Sequence, residues 1–342
     1  MTLNNINKIG VGIIIMDESL QDNRTVTQVR DELAKAIVEG ASIITRVILR
    51  ELEEAIKKQN IFIQIGMKLG GKRLQDQMAP YIGAVFFLSF IGEEVNGENV
   101  GKVLSGLDVE PNSRFLGFVR DIDLSNNVIA YGPVILFLKL NRKEVNVSNM
   151  ISVVNAMGYK ADPATAKHVL EIYEEYANPN SERDENLPEY EVKLMRSTDE
   201  AAKMEAMLMT WELDRTLEHN DIDRYIRRGF VPYLTAIGVL VYSGEEISAI
   251  GEERFLKYDA DMVKAIGIEP DSEMKEFVRS MNYQDSAAFH CIPAIYLLLS
   301  LGMEVNVESV KKLLDSVGLN MSIELVGFAY TFYTDHKDII RN

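Results

Sequence analysis

At 342 residues, with 47% of them hydrophobic and 26% charged, the chain can bury one large core or two ordinary ones. Its formal charge of -16 argues against sequence-specific binding of duplex DNA and favours solubility or a basic protein partner. The single cysteine, Cys291, excludes an intrachain disulfide and suits a reducing compartment, and no stretch approaches the roughly 20 apolar residues of a membrane helix.

Residues 10–16 form a short apolar segment, readable as one strand or one buried helical turn. Lys8 precedes it, but Asp17 and Glu18 follow with no small-residue cleavage site, so a secretory signal is not expected and a cytoplasmic location is. Residues 26–60 read as one or two long helices, with Gly40 as the place of a kink or division. The apolar run 61–67 then stops at Gly70 and Gly71, where Lys68, Lys72 and Arg73 cluster.

A repeated pattern follows. Apolar helix, glycine turn and second helix are spelled by residues 81–104 and again by 292–319, with a Gly, a Glu, a Val-Asn, a second Glu and a second Val in matching places from Gly92 and Gly302. Two more copies lie between them. Asn141 to Val147 follows the apolar run 134–140, and Ser243 to Ser248 follows 237–242. Glu94 to Glu246 spans 152 residues and Glu144 to Glu304 spans 160, a difference that an insertion of about eight residues within 249–258 accounts for. Pro80-Tyr81 recurs as Pro232-Tyr233, and Phe118-Val119-Arg120 as Phe277-Val278-Arg279.

The expected fold is therefore all-α, with two similar halves, each a long helix followed by two helix-turn-helix units. Residues 1–45 form an N-terminal segment in this reading. The first half covers 46–177, with units near 80–123 and 127–176; an acidic linker covers 178–191; the second half covers 192–342, with units near 232–283 and 292–340. A helix over 200–217 carries the only tryptophan, Trp211, expected in the core or a helix seam rather than as a partner's anchor. Arg224, Arg227 and Arg228 then stand where Lys68, Lys72 and Arg73 stand in the first half. Such cations suit helix C-termini, and their recurrence also makes them candidate contacts for a nucleic acid or partner.

The turn residues read as architecture. Gly92, Gly244 and Gly302 suit a left-handed cap after the first helix, with Asn141 as the substitute in the second unit. Asn96, Asn146, Ser248 and Asn306 are placed to cap the next helix, and Glu98 and Glu308 put negative charge in its first turn. The first helices carry too few polar groups to face water, so burial within the chain or in a homodimer seam is expected.

Residues 81–95, and 295–306 followed by 310–318, resemble the N-terminal helical dimerisation domain of the archaeal and eukaryotic acidic ribosomal stalk proteins. On this likeness Gly92, Glu94 and Val95, and Gly302, Glu304 and Val305, match the family's first turn, while Gly106, Gly158, Gly267 and Gly318 match the break after the next helix. The four copies cover roughly 200 residues. A stalk protein has one such domain, then an Ala-rich hinge and a charged tail that recruits translation factors. This chain shows no such hinge or tail, so recruitment of GTPases by that route is not expected. The resemblance implies a fused, internally pseudo-dimeric module in an archaeal accessory factor that holds or dimerises idle ribosomal subunits. Its acidic faces would meet ribosomal proteins and its basic clusters the phosphates of rRNA.

Alternatives from other classes remain: a self-assembling structural protein unrelated to translation, and an enzyme without a recognisable motif. The four histidines, His168, His219, His290 and His336, show no metal-binding spacing, and His290-Cys291 are neighbours in sequence that point about 100 degrees apart on a helix. Phosphate-binding glycine loops, a Gly-x-Ser-x-Gly elbow and cysteine metal knuckles are all missing from the sequence. No cofactor, metal or catalytic residue is expected.

Overall fold

A computed structural model describes residues 25–58, 72–120, 122, 124, 126–177, 189–217, 231–242, 252–270, 272 and 288–341. Among these the chain is all-α, with thirteen helices and no strand. In chain order they are α1 (Val26–Lys58), α2 (Lys72–Phe90), α3 (Gly97–Gly106), α4 (Ser113–Arg120), α5 (Asn126–Leu140), α6 (Val147–Ala156), α7 (Pro163–Ala177), α8 (Glu189–Leu217), α9 (Val231–Tyr242), α10 (Glu252–Ala265), α11 (Ala288–Ser300), α12 (Val307–Ser316) and α13 (Ile323–Arg341).

α1 is one unbroken helix. Gly40 neither divides nor ends it, because its role lies in packing: a β-carbon there would run into the Leu136 side chain of α5. α1 also runs through residue 45, so the segment 1–45 and the half beginning at 46 share it. α8 is longer than the helix expected over 200–217 and takes in residues 189–191 from the acidic stretch.

The apolar first helices are interior elements, as a sequence without a polar face demands. Val85 and Leu88 of α2, Val134 and Phe137 of α5, Leu240 of α9, and Ile295 of α11 are fully buried. These helices need no second chain to cover them. α2, α5 and α11 end the same way, with a left-handed residue at the turn (Gly92, Arg142 and Gly302, φ 74°, 55° and 68°). The next amide then donates back to the carbonyl five residues earlier: Glu93 to Leu88 at 2.9 Å, Lys143 to Leu138 at 2.8 Å, Met303 to Leu298 at 2.9 Å. In the second unit the left-handed residue is thus Arg142 and not Asn141. Asn141 keeps the helical bond, and its Nδ2 donates to Phe137 O at 2.8 Å and to Thr235 Oγ1 of α9 at 3.0 Å.

Capping follows the expected asparagines where the structure describes them. Asn96 Oδ1 accepts from the amides of Glu98 and Asn99, Asn146 Oδ1 from that of Asn149, and Asn306 Oδ1 from that of Ser309, at 2.8–3.0 Å. Ser309 Oγ returns the bond to the Asn306 amide at 3.0 Å, completing a capping box. Asn306→Ala is expected to cost about 1 kcal/mol and Asn306→Asp much less; thermal unfolding of the two variants checks the difference, and equal losses would show that the cap is not used.

The break after each second helix also recurs. Amides of Val109, Tyr159, Ile268 and Leu319 donate to the carbonyls of Leu104, Val154, Val263 and Leu314 at 2.8–3.2 Å. Gly158, Gly267 and Gly318 take the left-handed position, but in the first unit Asp108 (φ 56°) takes it and Gly106 is the last helical residue. A third device, shared by the first two units, ties the first helix to the loop before the third. Tyr81 OH accepts from the Asn112 amide at 2.6 Å, and Tyr131 OH accepts from the Asp162 amide at 3.2 Å. In the last unit Cys291 holds the tyrosine's place and meets Met321 Sδ at 3.8 Å instead.

Packing between units crosses the middle of the chain. α1 and α8 lie against each other; α5 and α7 pack on α1, and α11 and α13 on α8. The first unit, α2 to α4, sets α2 against α8 and α11, and α3 against α12. The described part of the third unit sets α9 against α5 and α10 against α6. One apolar cluster spans most of these elements, and a smaller one, with Leu33, Ile37, Leu136, Leu140 and Ala206, closes the junction of α1, α5 and α8.

Candidate functional site

A shallow cleft lies where the first and fourth units meet. α2, α8 and α11 line it, and its walls are largely apolar and open on one side. Its walls from the two units are residues in matching repeat positions: Gly83 and Pro293, Phe86 and Tyr296, Phe87 and Leu297, Phe90 and Ser300. Each pair is 210 residues apart, as are Gly92 and Gly302. Leu194, Ser197, Thr198 and Ala201 of α8 close one side.

Beyond the cleft the same two units meet again through like positions. A β-carbon on Gly106 of α3 would lie 2.6 Å from Ser316 Oγ of α12, and these two residues are also 210 apart. The helices come this close because Gly106 has no side chain, which gives that glycine a reason other than a turn. Lys312 Nζ and the Asp108 carboxylate add an exposed ion pair at 2.6 Å. Between the second and third units, Asn141 of α5 meets Thr235 of α9 across the pair. Gly83 and Leu301 hold the corresponding positions of the first and fourth units, and a β-carbon on Gly83 would lie 3.9 Å from Leu301 Cδ2.

The basic residues singled out in the sequence fall largely outside this description. Lys72 and Arg73 begin α2, while Lys68, Arg224, Arg227 and Arg228, and the turn residue Gly244, lie outside the described residues. Glu94 and Glu304 are exposed at their turns; Glu94 O accepts from Asn99 Nδ2 at 2.9 Å, and Glu304 Oε1 accepts from Asn306 Nδ2 at 3.2 Å. Both serve the cap of the following helix.

Of the groups considered for chemistry, His219 lies outside the described residues. Cys291 is fully buried, and burial pushes its thiol up to about 12, leaving the thiolate negligible near neutral pH. His290 beside it is 7% exposed. His168 faces Glu51 of α1 at 3.4 Å, and His336 stacks on Phe332 with ring centroids 4.3 Å apart. No group of three or more His, Cys, Asp or Glu able to hold a metal occurs among the described residues. No helix described is long and apolar enough to cross a membrane.

Trp211 rests on Phe328 and Phe332 of α13, at centroid distances of 5.5 and 6.2 Å, in a helix seam that opens to the surface and leaves it 38% exposed. One feature escaped the sequence reading. Glu205 of α8 is buried, its Oε2 has no hydrogen-bond partner, and desolvation raises its carboxyl to about 8. The signal for it was present: Glu205 falls between Ala201 and Leu208 on the apolar stripe of α8.

No family model, curated protein or solved structure matches this chain.

Proposed function

We propose that the chain is a non-catalytic binding protein of the translation machinery, acting on ribosomal subunits and holding or dimerising idle ones. In this reading it consists of two similar halves, each a long helix followed by two stalk-like units, with the units paired first with fourth and second with third. The observation that carries the architectural part is the approach of like positions at the junction of the first and fourth units, where Gly106 lies against Ser316 and Phe86 and Tyr296 line one cleft. Such self-complementary contact is what a dimer of identical modules makes around a two-fold axis. Here both modules belong to one chain.

The partner part rests on the resemblance to stalk modules and on the paired basic clusters, Lys68, Lys72 and Arg73 with Arg224, Arg227 and Arg228, in a chain of charge -16. Phosphate contacts from such clusters release counterions and weaken steeply with salt, whereas contacts from acidic faces to basic ribosomal proteins place the module. A buried thiol held at about 12 is no nucleophile at neutral pH.

Sucrose-gradient sedimentation of source lysate, with the protein followed by immunoblot, tests the reading. The expected result is comigration with a ribosomal subunit or subunit dimer, lost on adding salt and weakened by Arg227→Glu combined with Arg228→Glu. A protein that stays at the top of the gradient in growing and starved cells alike overturns it and leaves a self-assembling structural role, which electron microscopy of the pure protein would reveal.

A further inference from the structure

The first unit is held chiefly by a part of the chain far from it in sequence. α2 packs on α8 and α11, and α3 on α12, while the long helix of its own half, α1, packs on α5, α7 and α8. The seating is close and specific. β-carbons on Gly83 and Gly106 would each come 2.6 Å from the opposing side, at Leu297 Cδ1 and Ser316 Oγ, and Asp108 pairs with Lys312. The third unit mirrors this dependence, with α9 on α5 and α10 on α6.

Helices α8, α11 and α12 therefore form an acceptor surface for a three-helix module, and no contact in it requires that the module come from the same chain. We propose that this surface accepts the first unit, residues 72–120, of a second copy, giving a reciprocal dimer in which each chain lends that unit to the other. The exchange is closed, because both acceptor surfaces are filled and none is left to start a filament. Within one chain the seating is intramolecular and independent of protein concentration, whereas the exchanged form gains ground as protein concentration rises. The homodimer expected from the sequence then has its seam at the first unit. This inference stands apart from the partner proposed above, since it concerns the pure protein.

The ion pair offers a direct probe in the unaltered chain. Equal amounts of unlabelled and ¹⁵N-labelled full-length protein are unfolded together and refolded at ~1 mM, with a parallel sample at ~1 μM. Monomer and dimer are separated by size, and a carbodiimide joins Asp108 to Lys312 before digestion and mass spectrometry. The expected result is a dimer fraction confined to the concentrated sample, with Asp108–Lys312 peptide pairs of one light and one heavy chain, and only like-with-like pairs in the monomer. A dimer lacking mixed pairs would place its seam elsewhere and overturn the proposal. So would the absence of a dimer at high concentration, or a monomer in which the two residues do not cross-link at all.

Discussion

Leu298→Asp is expected to abolish cooperative folding or lower stability by at least about 4 kcal/mol, the combined cost of losing a packed leucine and burying a carboxylate without a partner. Leu298 is 2% exposed in α11, a helix that meets α2, α8, α12 and α13 at once. A charge there has no route to water that does not open several interfaces together. Leu298→Met keeps the volume and is expected to cost less than about 1.5 kcal/mol, which separates the effect of charge from that of any change at the site. Circular dichroism melting of both variants reads the result. A melting curve for Leu298→Asp that overlays the wild type would mean that α11 is a surface helix and that the junction of first and fourth units does not exist as described.

Much of the local structure was legible because single residues carry it. A glycine at 92 or 302 is the cheapest way to turn a chain left-handed after an apolar helix, and an asparagine four residues later is a good acceptor for free amides. The same logic misled at Asn141 and Gly106. Arg142 and Asp108 adopt the left-handed conformation themselves, because the backbone bond pattern of the helix end outweighs the modest strain of a side chain there. Residue type at one position is a weaker guide than the whole hydrogen-bonded turn.

What the sequence left open was which unit sits on which. The four first helices are nearly uniform apolar surfaces, and the choice between partners depends on small features such as the missing side chains of Gly83, Gly106 and Gly40. Those glycines look alike in sequence, whether they serve a turn, a kink or a close approach. Covering the first helices within one chain follows from that pairing and could not be separated beforehand from covering them by a second chain. The basic clusters were legible only as composition, and most of their residues lie outside the described structure.

Glu205, among the described residues, carries a large expected dependence on pH near neutrality. Its carboxyl sits in the buried face of α8, 5% exposed, with Oε2 unpartnered, and burial raises it from 4.5 to about 8. Between those two values the folded protein keeps a proton that the unfolded chain gives up. Stability from this group therefore falls as pH rises through the window, and the penalty is absent below the unfolded value, where both states are protonated. At pH 7 the penalty is on the order of 3 kcal/mol, growing until the folded form itself ionises near pH 8. Glu205→Gln removes the titration, and Glu205→Leu also removes the polar atoms. Both variants are expected to melt several degrees above the wild type near pH 8 and to approach it near pH 5.5, with the leucine variant the more stable at the higher pH. Other ionisable groups act equally in all three proteins and drop out of the comparison. Melting profiles that run parallel across this range would mean that Glu205 titrates as an exposed carboxylate does, and that the packing around α8 leaves it open to water.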